Sequence, residues 1–438
     1  MSHALTVPPH DHIIAVTLRL LDRLFPPPRA FDIRLWTGLT LPAADRSSFT
    51  LVLCHPAALR RMFTPPVERS LGEAFIYGDF DLEGDIVAAF TLVHLIFERS
   101  LSLAEMAGIA RDLLALPHDG PVRPIGRGRA RLSGVKHSRE RDRAAIQYHY
   151  DVGNEFYALW LDRFMQYSCA YFPAGAEDLD TAQERKLDLI CRKLRLQPDE
   201  RLLDIGCGWG GLARYAAEKF GVQVVGVTLS EKQAVYANEL IARTGLGNRV
   251  TVRLLDYRDL RSRLFDKIVS VGMFEHVGRR QLPGYFAQAY QLLKPGGLFL
   301  NHGIAYWPGM RQSQPKWIAK RLLGTQSFSQ GYVFPDGELE PVSEVNLLAE
   351  RSGFEVCDVE NLREHYARTL QHWVKRLEEH RAEAIQLANE VTYRTWRFYM
   401  AASAYGFEAG YINVNQTLLA KPDHGQSHLP LSRADLYS

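Results

Sequence analysis

The chain has 438 residues, 46% of them hydrophobic, which is enough for two or three domains with sizeable cores and excludes a disordered or fibrous protein. Lys and Arg number 52 against 50 Asp and Glu, a net charge of +2 that is too balanced for a surface coating nucleic acid, so any charged partner must meet a local patch. Five cysteines (Cys54, Cys169, Cys191, Cys207 and Cys357) are odd in number and form no CxxC pair, so neither a disulfide framework nor a metal cluster is expected.

In chain order, MSHALTVPPHDH lacks the basic start and apolar run of a secretory leader, and no stretch of about 18 uncharged apolar residues follows. The expectation is a cytoplasmic protein that meets lipid, if at all, from its surface. Apolar residues at helical spacing in HIIAVTLRLLDRLF predict a helix over 12–25, which Pro26, Pro27 and Pro28 end. FDIRLW and SSFTLVLC predict short strands, a helix is expected after His55-Pro56, and SLSLAEMAGIARDLLAL predicts another over 100–116. Residues 1–116 therefore read as a small α+β domain. The stretch 117–143 is rich in Gly, Pro and cations and reads as a basic linker. From Arg123 to Arg143 it carries eight cations (Arg123, Arg127, Arg129, Arg131, Lys136, Arg139, Arg141 and Arg143) against Glu140 and Asp142.

From residue 144 the pattern alternates. Helices near 181–194, from 210, from 231 and near 281–293 are interleaved with the apolar strands RLLDIG, VQVVGV, VTVRLLD, DKIVSVG and GLFLNHG. Strands alternating with helices of this length predict an α/β fold, a doubly wound and mostly parallel sheet. This domain is expected over 144–420, with 421–438 as a tail.

The strand Leu202-Leu203-Asp204-Ile205 runs into Gly206-Cys207-Gly208-Trp209-Gly210-Gly211, which opens a helix. Such glycines let a backbone turn sharply and approach a ligand. A dinucleotide fingerprint requires GxGxxG and an acidic residue ending the second strand, but that strand ends Val227-Thr228-Leu229-Ser230. S-adenosylmethionine is therefore favoured over NAD. The third strand ends in Leu255-Asp256-Tyr257, a carboxylate and an aromatic ring suited to an adenosine.

Together LLDIGCGWGG, VVGVTLSEKQ, IVSVGMFEHVG, HYDVGNEFY, FMQYSCAYF and HYARTLQHW resemble the cyclopropane fatty acid synthases and the related mycolic acid cyclopropane synthases, from about Tyr148 to Thr417. A looser similarity lies in SLGEAFIYGDFD near the N-terminus. The resemblance implies a Rossmann-like methyltransferase sheet and a reaction in which the cis double bond of an unsaturated phospholipid acyl chain attacks the sulfonium methyl of S-adenosylmethionine. The resulting carbocation loses a proton to bound bicarbonate and closes to a cyclopropane. An alkene is a weak nucleophile, so the site must align it, exclude water and hold the base close.

The resemblance maps the bicarbonate site onto Cys169, Glu275, His302, Ile304 and Tyr366. It maps the donor site onto Tyr167, Ser168, Asp204, Gly206, Cys207, Gly208, Thr228, Gln233, Asp256 and Tyr257. His302, Tyr366 and the backbone N–H of Cys169 or Ile304 can donate to an oxyanion, while Glu275 accepts its hydroxyl proton. Gln233 can bond a ribose hydroxyl without placing a carboxylate near the sulfonium. Tyr148, Tyr150, Phe156, Tyr157, Tyr171, Phe172, Phe274, Tyr306 and Trp307 crowd the same motifs, two or three of them facing the acyl tunnel. Many relatives have a cysteine in the late helix where this chain has Ser403, which argues against a cysteine nucleophile.

A lipid substrate implies an anionic membrane surface as partner, and no nucleic acid. The basic linker is one candidate contact. The other is the segment from Met310 to Phe328, where Trp317, Ile318, Leu322 and Leu323 alternate with Arg311, Lys316, Lys320 and Arg321, as in an interfacial helix or a lid over the tunnel. By analogy the N-terminal domain binds lipid or supports a homodimer, and the protein sits at the inner membrane face. A C-methyltransferase making methylene or methyl-branched chains, and a non-catalytic lipid-binding protein, are the alternatives.

Overall fold

The computed structural model describes residues 10–261, 264–307 and 327–436. The expected interfacial or lid segment thus lies outside the described residues, apart from Ser327 and Phe328. The described residues form two compact units: one takes the chain up to 129 with 327–333 and 389–405, and the other takes the rest.

In the first unit, α1 (His10–Leu24) stops just before the prolines, which cannot continue a helix. Strands β1 (Asp32–Arg34), β2 (Thr40–Leu41), β3 (Phe49–Leu53) and β4 (Phe80–Gly84) form a sheet in the order β2-β1-β3-β4. Helix α2 (Leu103–Ala115) starts at a capping box in which the Ser102 hydroxyl accepts from the Glu105 N–H and Glu105 accepts from the Ser102 N–H. Part of the helix Glu390–Glu408 belongs to this unit for an electrostatic reason. The buried Arg394 guanidinium donates to the carbonyls of Phe75 and Phe80 at 2.7 and 2.9 Å and to the Asp81 carboxylate at 3.1 Å.

The second unit opens with α3 (Arg139–Tyr150), N-capped by Ser138, so the last cations of the basic stretch are helical. Its sheet contains β5 (Arg201–Ile205), β6 (Gln223–Thr228), β7 (Val250–Leu254), β8 (Phe265–Val271), β9 (Leu293–Tyr306), β10 (Glu355–Asn361) and β11 (Ile412–Ala420). The order is β10-β11-β9-β8-β5-β6-β7; β5 to β9 run parallel, and β11 is antiparallel to both its neighbours. The expected doubly wound, mostly parallel sheet is therefore present, and β9 is longer than GLFLNHG.

Successive strand residues point to opposite faces, and both faces are covered. Leu202, Val224 and Val269 pack on one face with helices α4 (Leu179–Lys193), α5 (Gly211–Phe220) and α6 (Glu231–Arg243). Leu203, Val227 and Ile268 pack on the other with α7 (Leu282–Leu292). The carboxyl ends of the parallel strands, where such sheets bind ligands, carry the glycine turn and the Glu275 turn.

Much of the basic stretch is neutralised locally. Arg123 pairs with Asp79 at 3.1 Å in the first unit. In the second, Lys136 pairs with Glu338, Arg139 with Asp259 at 2.6 Å and Arg141 with Asp336.

Candidate functional site

At the end of β5 the chain turns through Gly206 and Gly208, whose φ angles of +81° and +54° are left-handed. A Cβ on Gly208 would meet no atom within 4 Å, so the backbone there faces open space. This turn forms one wall of a pocket that brings together nine of the ten expected donor-site residues: Tyr167, Ser168, Asp204, Gly206, Cys207, Gly208, Thr228, Gln233 and Tyr257. Asp256 is not among the lining residues. Its buried carboxylate is bound by Arg258 Nε at 2.9 Å and Nη2 at 2.6 Å, which holds it well ionised.

Among the described residues, two lining side chains have buried polar atoms with no protein partner. Gln233 is 2% exposed; its Oε1 accepts from the Thr228 hydroxyl at 2.9 Å, while Nε2 has no partner. Asp204 Oδ2 is likewise unpaired, and burial pushes its pKa up to about 7 despite the nearby Lys186. A nucleoside with ribose hydroxyls and an amino-acid ammonium matches a free amide donor and a free carboxylate oxygen. The HYDVGNEFY segment closes the pocket rim: Asn154 Oδ1 accepts from Trp209 Nε1 at 2.8 Å, and Tyr150 and Tyr157 pack on the Trp209 ring.

The candidate anion residues lie on β9 and around it. His302 and Ile304 are two apart and share one face of the strand. Strand β8 ends opposite His302, so the next N–H on that side, that of Ile304, has no strand partner. Glu275, on the 3-10 turn Phe274–His276, accepts this N–H through Oε1 at 2.7 Å. Its Oε2 is buried and has no partner among the described residues, and burial raises the Glu275 pKa to about 7. His302 is 2% exposed, held neutral by burial that lowers its pKa to about 3, and its Nε2 has no partner among the described residues.

The other two expected residues meet at Leu362. The Cys169 thiol, wholly buried, donates to the carbonyls of Ala170 (3.2 Å) and Leu362 (3.6 Å), and burial keeps it protonated. The Leu362 carbonyl also accepts the Tyr366 N–H in the first turn of α8 (Arg363–Glu379), and the Leu362 N–H donates to Val414, which faces Ile304 in register. Tyr366 packs its ring on Phe407 at 4.6 Å. The Ile304 N–H, expected to serve the anion, is taken by Glu275.

The mycolic acid cyclopropane synthetase family matches residues 137–417. A "probable fatty acid methyltransferase" of Pseudomonas putida is 40% identical over 92% of this chain and 95% of its own length. The cyclopropane-fatty-acyl-phospholipid synthase of Escherichia coli K12 is 40% identical over 67% of this chain and 71% of its own. The chain belongs to the cyclopropane synthetase family. Among solved structures, the family's MmaA2 from Mycobacterium tuberculosis superposes with a TM-score of 0.59 at 36% identity, over 63% of this chain and 97% of that one. The synthase CmaA1, solved with SAH and CTAB, gives 0.59 at 37% over the same shares.

In this family member, residues that sequence reasoning missed support the pocket from below. Lys186, fully buried, donates to Gln166 Oε1 at 2.7 Å and to the Ser168 hydroxyl at 2.9 Å, and burial lowers its pKa to about 8. Lys186 and Lys193 both sit on the stripe of α4 that carries Ala182, Leu189 and Ile190 to the core. A cation on an apolar stripe was the available signal. Of the aromatic residues, Phe156, Tyr157, Phe172 and Phe274 are buried, whereas Tyr306 and Trp307 are 40% and 57% exposed.

Proposed function

We propose that the chain transfers the methyl group of S-adenosylmethionine to the cis double bond of an unsaturated phospholipid acyl chain and closes it to a cyclopropane, with bicarbonate as the base. The observation that carries this reading is the pair Glu275 Oε2 and His302 Nε2, both buried and unpartnered, in a chain of this family. S-adenosylmethionine supplies an electrophilic methyl. The glycine turn, Gln233 and Asp204 bind and orient it.

A bicarbonate ion offers oxygens that accept and one hydroxyl that donates, which fits a free imidazole N–H and a free carboxylate oxygen. Held there, it supplies the proton acceptor that a closing cation needs. His302 binds through Nε2, Glu275 receives the hydroxyl through Oε2, and Cys169 holds Leu362, from which Tyr366 is positioned. The dry surroundings of these groups also keep water from the cation.

A second reading, C-methylation to a methylene or methyl-branched chain, is favoured by one observation: the Pseudomonas relative named a fatty acid methyltransferase aligns over almost the whole chain. One assay separates the readings. Purified protein with S-adenosylmethionine and vesicles of unsaturated phospholipid is expected to give fatty acids heavier by one methylene that take up no hydrogen over a catalyst. The same mass gain followed by uptake of one H2 would establish the methylene product, and no gain would leave a lipid-binding protein.

A phospholipid substrate supports a position at the cytoplasmic face of a membrane; the proposed arrangement is a peripheral homodimer with residues 1–116 as the lipid-binding or dimerising part and 144–420 as the catalytic part. Among the described residues no single helix is long and apolar enough to cross a bilayer. The basic stretch is the proposed electrostatic contact, each cation contributing about 1 kcal/mol at an anionic surface. Neutralising Arg127, Arg129 and Arg131 together is expected to lower partitioning onto anionic vesicles by roughly 10–100-fold at low salt and little at high salt. Unchanged sedimentation with vesicles would remove the contact.

A further inference from the structure

Three side chains stand in register across the antiparallel end of the sheet: Glu360 on β10 faces Gln416 on β11, and Gln416 faces His302 on β9. Lys193, from the buried stripe of α4, reaches into this row. Its ammonium pairs with Glu360, lies 3.9 Å from Asp358, and donates to Gln416 Oε1 at 2.8 Å. An ammonium group has donors and no acceptor, so it fixes which end of the Gln416 amide it meets. The oxygen faces Lys193, and the NH2 is turned to His302 Nδ1 at 3.2 Å. An amide nitrogen donates and does not accept. Nδ1 of His302 is therefore the acceptor, and the single proton of the neutral ring resides on Nε2, the atom with no partner.

We infer that Gln416, oriented by Lys193, is a positioning residue that holds His302 in the Nε2–H tautomer and so makes it a hydrogen-bond donor at the anion site. The inference rests on the proposed anion site for its purpose, and on the Lys193–Gln416–His302 geometry for its content. Without the amide, the ring would be free to carry its proton on Nδ1 and would turn a lone pair toward an anion, where it would repel. The buried position strengthens this selection, because no water competes for Nδ1. The same arrangement explains a buried lysine whose charge touches no ligand: Glu360 balances it, and its directed N–H sets the amide.

The test is the tautomer itself. In protein labelled with 15N-histidine, His302→Asn identifies the His302 signals, and long-range proton–nitrogen correlation at neutral pH reads which nitrogen carries the proton. The expected pattern is a protonated Nε2 and an unprotonated Nδ1. Gln416→Glu, whose carboxylate accepts, is expected to put a proton on Nδ1 and to lower kcat on the order of 10²-fold with the KM for S-adenosylmethionine unchanged. A wild-type ring with its proton on Nδ1, or an unchanged pattern in folded Gln416→Glu, would overturn the inference. If that variant fails to fold, the wild-type spectrum decides alone. The expected nitrogen pattern together with full turnover in Gln416→Glu would support the tautomer relay and overturn the anion-site reading.

Discussion

Glu275→Gln is expected to cut turnover by about 10²–10⁴-fold while S-adenosylmethionine binds as before by calorimetry. The substitution is nearly isosteric. Its amide oxygen still accepts the Ile304 N–H, now bound by Oε1 at 2.7 Å, so the turn that carries it and the pocket wall stay in place. What changes is the second atom. The unpartnered Oε2 becomes an NH2, a donor facing where, in the proposed site, a bicarbonate hydroxyl would also donate. Two donors pointed at each other expel the ion or reverse it, and the proton acceptor is lost. Full activity in this variant would end the anion-site reading.

The same substitution makes a prediction for stability whose sign is set by burial. The Glu275 pKa is raised from 4.5 to about 7, so the folded state favours the neutral acid. That contribution is fully present below about pH 4.5 and is lost as pH rises through about 7, when a charge must be held in a dry site. The interval amounts to about 3 kcal/mol at 1.36 kcal/mol per pH unit. Gln cannot ionise. Glu275→Gln should thus leave stability unchanged near pH 4 and raise it by up to about 3 kcal/mol near pH 9, measured by denaturant unfolding. Asp204 shifts in the same direction in both proteins, so the difference between them isolates Glu275.

The parallel half of the sheet was legible because its strands are continuous apolar runs broken by glycines; the GxG turn marked one pocket wall, while the other expected lining residues, Tyr257 apart, were reached only through the resemblance. Strands β10 and β11 were not. EVCDVEN and INVNQTLLA carry charged and amide side chains, and Asn415, Gln416 and Thr417 are buried even so. Their partners come from other strands and helices, which no local pattern shows. The long reach of single residues hid other features too. Arg394 joins the first unit through contacts more than 300 positions away, and Lys136, Arg139 and Arg141 find carboxylates 120 to 202 positions downstream. A stretch that reads as a charged tether becomes partly ordered by those pairs. Glu275 and His302 were legible as residue types through the resemblance, but the unused hydrogen-bonding atom on each is a property of packing.

Gly303→Ala is expected to be the most damaging single methyl in the second unit. A Cβ at Gly303 would lie 1.7 Å from Phe274 Cε1 and 2.1 Å from Cδ1, where carbon atoms rest at about 3.5–4.0 Å. Phe274 is 3% exposed on the short 3-10 turn, so relief of the clash moves the turn with the ring. Overpacking of this kind costs about 1–3 kcal/mol. The functional loss should be larger than that figure suggests, since Glu275 is the next residue on the moving turn and His302 and Ile304 flank the new methyl. Whichever side yields, the Glu275 carboxylate moves relative to β9, and displacement on the scale of 1 Å at a reacting centre can reduce rate about 10²-fold. The companion substitution separates geometry from general instability. Phe274→Leu shortens the ring that the methyl strikes, so Gly303→Ala/Phe274→Leu should recover turnover relative to Gly303→Ala alone, with a coupling energy of about 0.5–3 kcal/mol in a double-mutant cycle. Strict additivity, or a fully active Gly303→Ala, would mean that the close approach of Phe274 to β9 does not hold Glu275 where the chemistry requires it.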